Sequence, residues 1–72
     1  MIIKSQIILY MYDVLINGGS IKLNEIMEQF GISLRTFRRY IAEINAFLCN
    51  YYKNQSIVYD VILKTYKLKD NI

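Results

Sequence analysis

Ile26-Met27-Glu28-Gln29-Phe30-Gly31-Ile32-Ser33-Leu34-Arg35-Thr36-Phe37-Arg38-Arg39-Tyr40-Ile41 reads as a helix, a tight turn and a second helix. Gly31 stands where the first helical pattern stops, a position that favours a left-handed backbone and hence a residue without Cβ. Ser33 can cap the second helix, because its hydroxyl accepts a hydrogen bond from a free N–H of the next turn and so starts a new helix. In that helix Phe37, Ile41, Ile44 and Leu48 fall on one apolar stripe at about 100° per residue, with Tyr40 and Phe47 along an edge. The opposite side carries Arg35, Arg39, Ala42 and Ala46, flanked by Arg38 and Glu43. Three arginines near a helix N-terminus, followed by small residues, make a slim basic surface shaped to enter a DNA major groove.

Upstream, Leu23 to about Phe30 forms the first helix of the pair, with Leu23, Ile26, Met27 and Phe30 inward and Glu25, Glu28 and Gln29 outward. Ile21 precedes it as an apolar anchor, and Lys22 is a poor cap. A further helix runs from Lys4 to about Asn17 on a stripe of Ile7, Met11, Val14 and Leu15, and Asn17-Gly18-Gly19 ends it with a flexible turn. Its far side holds Leu9, Tyr12 and Ile16. These are either scattered surface hydrophobes or a dimer or partner contact.

Downstream, the arginine-bearing helix continues to roughly Cys49, and Tyr51 to Gln55 reads as a polar loop. Ser56 to Asp60 and Lys64 to Lys69 read as two strands that pair as a hairpin. In the second strand Tyr66 and Leu68 face the core, while Thr65, Lys67 and Lys69 point away. Val61, Ile62 and Leu63 fall at the tip, where no Gly, Asn or Pro defines a turn.

The 72 residues make a single domain, 1–72, and a chain of this size buries only about 60% of the surface its unfolded form exposes. With 54% hydrophobic residues it is too apolar for disorder, and a net charge of +3 permits a polyanion partner. One cysteine and no histidine rule out an intrachain disulfide, the usual zinc ligand sets and serine–histidine or cysteine–histidine pairs. Asp13, Glu43 and Asp60 do not converge by helical spacing. No enzyme, metal or cofactor is therefore expected. Cys49 reads as a small apolar filler in a reducing cytoplasm. The longest apolar run, Ile7 to Tyr12, is far short of the roughly 20 residues that cross a bilayer, and no signal-peptide cleavage pattern is present. Tyr10, Tyr51, Tyr52 and Tyr59 lie on separate elements, which favours packing over stacking on single-stranded bases.

Three helices followed by a two-stranded hairpin, with a helix-turn-helix between the second and third, is the order of an α+β winged helix-turn-helix. Gly31-Ile32-Ser33-Leu34-Arg35-Thr36, then Arg39 and Ile41, and finally Thr65-Tyr66-Lys67-Leu68 resemble the N-terminal domain of DeoR-type and WYL-domain bacterial transcriptional regulators. That family's pattern runs through GVSxRT, an RDI-like step and a closing GYxL strand. The resemblance implies a recognition helix whose Ser33, Leu34, Arg35, Thr36, Arg38 and Arg39 face double-stranded DNA, and a hairpin that serves as the wing. Lys53, Lys64 and Lys67 would meet the phosphate backbone. The ligand-sensing domain that usually follows in that family is absent from these residues, so the chain reads as either a free-standing domain or an excised one, and a homodimer through the Leu9, Tyr12 and Ile16 side of the first helix is expected. Four positions depart from the family: Tyr40 stands in an acidic position, Met27 in a small one and Lys22 at a Ser or Thr cap, and the wing tip is apolar. The rival expectation is a winged-helix interaction module that meets a protein through Leu9, Tyr12, Ile16 and the tip.

Overall fold

A computed structural model describes residues 3–51 and 54–70. Three helices, α1 (Lys4–Ile16), α2 (Leu23–Phe30) and α3 (Leu34–Tyr51), precede the strands β1 (Gln55–Asp60) and β2 (Thr65–Asp70), which pair as an antiparallel hairpin. This is the expected α+β winged helix layout. Ile7, Met11 and Leu15 of α1, Ile26 of α2 and Phe37, Tyr40, Ile44 and Leu48 of α3 form one buried cluster together with Ile21. Burying each large apolar side chain contributes about 1.5–3 kcal/mol, so this cluster dominates cohesion. The hairpin lays Ile57, Tyr66 and Leu68 on it.

The glycines after α1 have separate tasks, so the turn is less a flexible one than a built cap. Gly18 takes a left-handed φ of +82° and donates its N–H to the Leu15 carbonyl, while Gly19 donates to the Val14 carbonyl at 2.9 Å. A Cβ on Gly19 would lie 2.9 Å from that same carbonyl oxygen.

Several expectations need correction. Tyr40 belongs to the core and Ile41 is only half-buried, because α1 covers the Tyr40 side of α3 and sets the Lys4 ammonium 6.0 Å from its ring centroid. Met27 is half-buried, since α2 points Ile26 at the core and leaves Met27 about 100° around the helix. The helix α3 runs past Cys49 through Tyr51, and Cys49 is exposed on the outer side rather than filling the core. Thr65 is buried, not solvent-facing. Ile21 exchanges two 2.8 Å backbone hydrogen bonds with Tyr66, which gives β2 a partner on both edges beside Thr65. The Thr65 Oγ1 has no hydrogen-bond partner among the described residues. Lys64 lies in the turn, not in the strand, with a left-handed φ of +56°.

Candidate nucleic-acid interface

The start of α3 is set by local bonds. Gly31 closes α2 with a φ of +64°, and the N–H groups of Gly31 and Ile32 both converge on the Met27 carbonyl. The Ser33 Oγ then accepts the Thr36 backbone N–H at 3.2 Å and lies 3.1 Å from the Thr36 hydroxyl, while the Ser33 carbonyl accepts the Phe37 N–H. Ser33 and Thr36 are thus engaged with each other in capping the helix. Lys22, by contrast, makes no side-chain cap for α2.

Arg35, Arg38 and Arg39 stand exposed on the outer side of α3, with Leu34 at its first turn and exposed Ala42 and Ala46 beyond. Among the described residues no carboxylate comes within ion-pair range of these arginines. The nearby acid, Glu43, is held 3.3 Å from the Lys4 ammonium of α1. The outer face therefore keeps its positive potential.

The hairpin is fastened along α3 at two points. The Asn45 Oδ1 accepts the Ile57 backbone N–H at 3.0 Å, which satisfies an outward-facing group on the free edge of β1. Nearer the N-terminus of α3, the Phe37 ring meets Tyr66 at 5.3 Å, and Tyr66 meets Tyr59 at 4.8 Å. From Asn45 back to Phe37, the contacts on the hairpin advance from Ile57 toward the turn at residues 61–64. The wing tip accordingly lies at the arginine end of α3. There Tyr59, Leu63 and Lys64 face Lys22, Leu23, Asn24 and Glu25 across an open cleft.

Of the lysines expected at the backbone, Lys64 is exposed in this tip and Lys53 lies outside the described residues. Lys67 is exposed but sits 3.8 Å from the Asp60 carboxylate, so its charge is partly answered within the chain. Asp60 also accepts the backbone N–H groups of Ile62 at 2.9 Å and Leu63 at 3.1 Å. The Leu63 N–H foremost holds its carboxyl below the ordinary carboxylate range; desolvation opposes it, and the Ile62 N–H and Lys67 add smaller lowering effects.

Leu9, Tyr12 and Ile16 border two hollows along α1. Leu9 and Tyr12 line a groove with Ile8, Ile44 and Phe47, and Tyr12 meets Phe47 edge-on at 5.7 Å. Ile16 lines a different hollow beside Lys67, Leu68 and Asp70.

A family model described as an HTH domain matches residues 6–65, from the first turns of α1 to the start of β2. The chain belongs to the HTH domain family. This is a DNA-binding family of a non-enzymatic kind, and the match spans α2, the turn, α3 and the wing tip. Neither the curated proteins nor the solved structures contain a match to this HTH domain. Among the described residues no helix is long and apolar enough to cross a membrane. Sequence reasoning missed Asn45 and the tip role of Asp60. An Asp just before a hairpin tip was a usable signal, because its carboxylate readily accepts N–H groups two and three residues on. Asn45 gave none, since a polar residue on a helix reads as surface.

Proposed function

We propose that this HTH domain, spanning 1–72 as a single domain, binds double-stranded DNA as the N-terminal winged helix of a DeoR-type or WYL-type bacterial transcriptional regulator in the cytoplasm. The helix α3 occupies the major groove, where Arg35 and Arg38 or Arg39 reach base edges. The Ser33 and Leu34 turn, with Thr36, approaches a phosphate at the helix N-terminus, and the wing meets the backbone through Lys64, Lys67 and Lys53. The observation that carries this reading is the set of three exposed arginines, without acidic partners among the described residues, on a helix capped at one end and tied to the wing along its length.

Titration of labelled duplexes at several salt concentrations tests it. Each bidentate arginine–guanine contact is worth about 1–3 kcal/mol, so Arg35→Ala/Arg38→Ala/Arg39→Ala should weaken binding by about a hundredfold or more. Equal affinities for variant and wild type would sink the proposal.

A second reading, which can coexist with the first, makes the groove of Leu9, Tyr12 and Phe47 a homodimer contact, with an effector domain following in the intact regulator. Exposed Leu9 beside the Tyr12, Phe47 and Tyr51 ring series supports it. Sedimentation at rising concentration tests it: a dimer that survives Leu9→Glu, or a strict monomer, would refute this contact.

A further inference from the structure

The Asn45 Oδ1 accepts the Ile57 backbone N–H at 3.0 Å, joining a half-buried side chain midway along α3 to the edge of β1 that faces away from β2. Asparagine forms helix less readily than alanine, which stands nearby at Ala42 and Ala46, so this side chain weakens the helix it sits on. What it supplies is direction. Ile57, Tyr66 and Leu68 hold the hairpin on the core, but apolar contact is non-directional. Directional bonds fix the hairpin on both edges, through the Ile21–Tyr66 exchange beside β2 and the Asn45–Ile57 bond beside β1. Ile57 lies opposite Leu68 and Tyr59 opposite Tyr66, so these fastenings stand two residues apart along the ladder, about 7 Å at about 3.3 Å per residue. Tyr66 is the nearer to the turn at 61–64. Alone it would be a pivot about which the hairpin could swing.

We infer that Asn45 is a positioning residue for DNA binding: its bond to Ile57 stops the hairpin from turning about Tyr66, so that Lys64 meets a phosphate while the arginines of α3 occupy the groove. The inference rests on the DNA-binding reading above and adds a residue that acts through the wing rather than on DNA itself. A wing free to swing has to be ordered at the moment of binding, and that ordering costs affinity. Reading of bases by α3 is a separate matter, since Gly31 and the Ser33 cap fix the start of that helix without the hairpin. Losing the Asn45 bond should therefore remove the wing's phosphate share of binding and leave sequence preference intact. Stability should move little as well. Asn45→Ala loses one hydrogen bond at a partly exposed edge and gains helix propensity, two opposing effects of similar size.

The test titrates a short duplex, recovered with the wild-type chain from a randomised library, against Asn45→Ala and Lys64→Ala alone and combined. Asn45→Ala should bind about fivefold more weakly, with a salt slope lower by about one, while its ranking of single-base variants of the duplex and its urea midpoint stay as in wild type. Lys64→Ala should weaken the wild-type chain by a similar factor and the Asn45→Ala chain hardly at all. Asn45→Asp keeps an acceptor oxygen for the Ile57 N–H, so its dependence on Lys64 should return although its charge lowers affinity overall. Equal losses from Lys64→Ala in both backgrounds, or none in either, would show that Asn45 does not place the wing; with the triple arginine variant failing to bind, the DNA-binding reading would stand. A urea midpoint that falls along with affinity in Asn45→Ala makes the residue structural and overturns the inference. A triple arginine variant that binds as wild type overturns the DNA-binding reading and this role for Asn45 with it.

Discussion

Between α2 and α3 the chain reverses through Gly31 at φ +64°, and at the wing tip it reverses through Lys64 at φ +56°. The backbone angle is nearly the same, but the cost is not. Gly31 has no Cβ to crowd the following carbonyl, whereas a side-chain-bearing residue in this region is strained by about 1–2 kcal/mol. The fastenings differ too. Main-chain N–H groups on the Met27 carbonyl close the first turn, and a single carboxylate, Asp60, closes the second. The orientation of α3 is therefore set by groups that neither pH nor salt removes, while the shape of the tip hangs on one titratable side chain.

Both turns lean on Phe37. It is wholly buried in α3 just after the first turn, and its ring meets Tyr66 just after the second. Phe37→Ala should erase the contrast by loosening both, at a cost of about 3–5 kcal/mol in urea unfolding. That is a large share of the stability of so small a domain. A loss below about 1 kcal/mol would mean that α3 and the hairpin are held together elsewhere.

A smaller effect separates the turns. Nothing lies within 4 Å of a Cβ built on Gly31, so Gly31→Ala should lose only the backbone term, about 1–2 kcal/mol. Lys64→Gly should move the other way, gaining a few tenths to about 1 kcal/mol as its strain is relieved. If urea midpoints placed both variants on the same side of wild type, the two turns would not differ as the angles say.

The same contrast explains what the sequence reveals. The first turn is written locally: a glycine at the end of one stripe and a serine three residues before a threonine each act on neighbours within a single turn of helix. The exposure of the arginines then follows from helical phase alone. The wing is written at a distance. Thr65 alternates like a surface residue, and only the Ile21 bridge, far off in sequence, buries it. Pairing of Lys67 with Asp60 needs the register of β1 on β2, which the turn fixes and the alternation does not. Likewise Leu9 and Ile16 share a stripe on α1, yet α3 borders the hollow beside one and the hairpin the hollow beside the other.

The mildest perturbation is acid, and it should touch only one of the turns. Folding holds the Asp60 carboxyl below the ordinary range, through the Leu63 and Ile62 N–H groups and Lys67. Its contribution is complete above the unfolded value of about 3.9 and is lost as pH falls through the lowered folded value. Protonation removes the charge that those N–H groups and Lys67 face, so the Ile62 and Leu63 amide resonances should shift together below about pH 4. Gly31 and Ile32, whose partner is a carbonyl with nothing to titrate, should stay in place over that range. Asp60→Asn keeps an acceptor oxygen but has no charge to lose, and it should flatten the transition at the tip. If the tip resonances of that variant still shift as in wild type, another group governs the turn and Asp60 is only its neighbour.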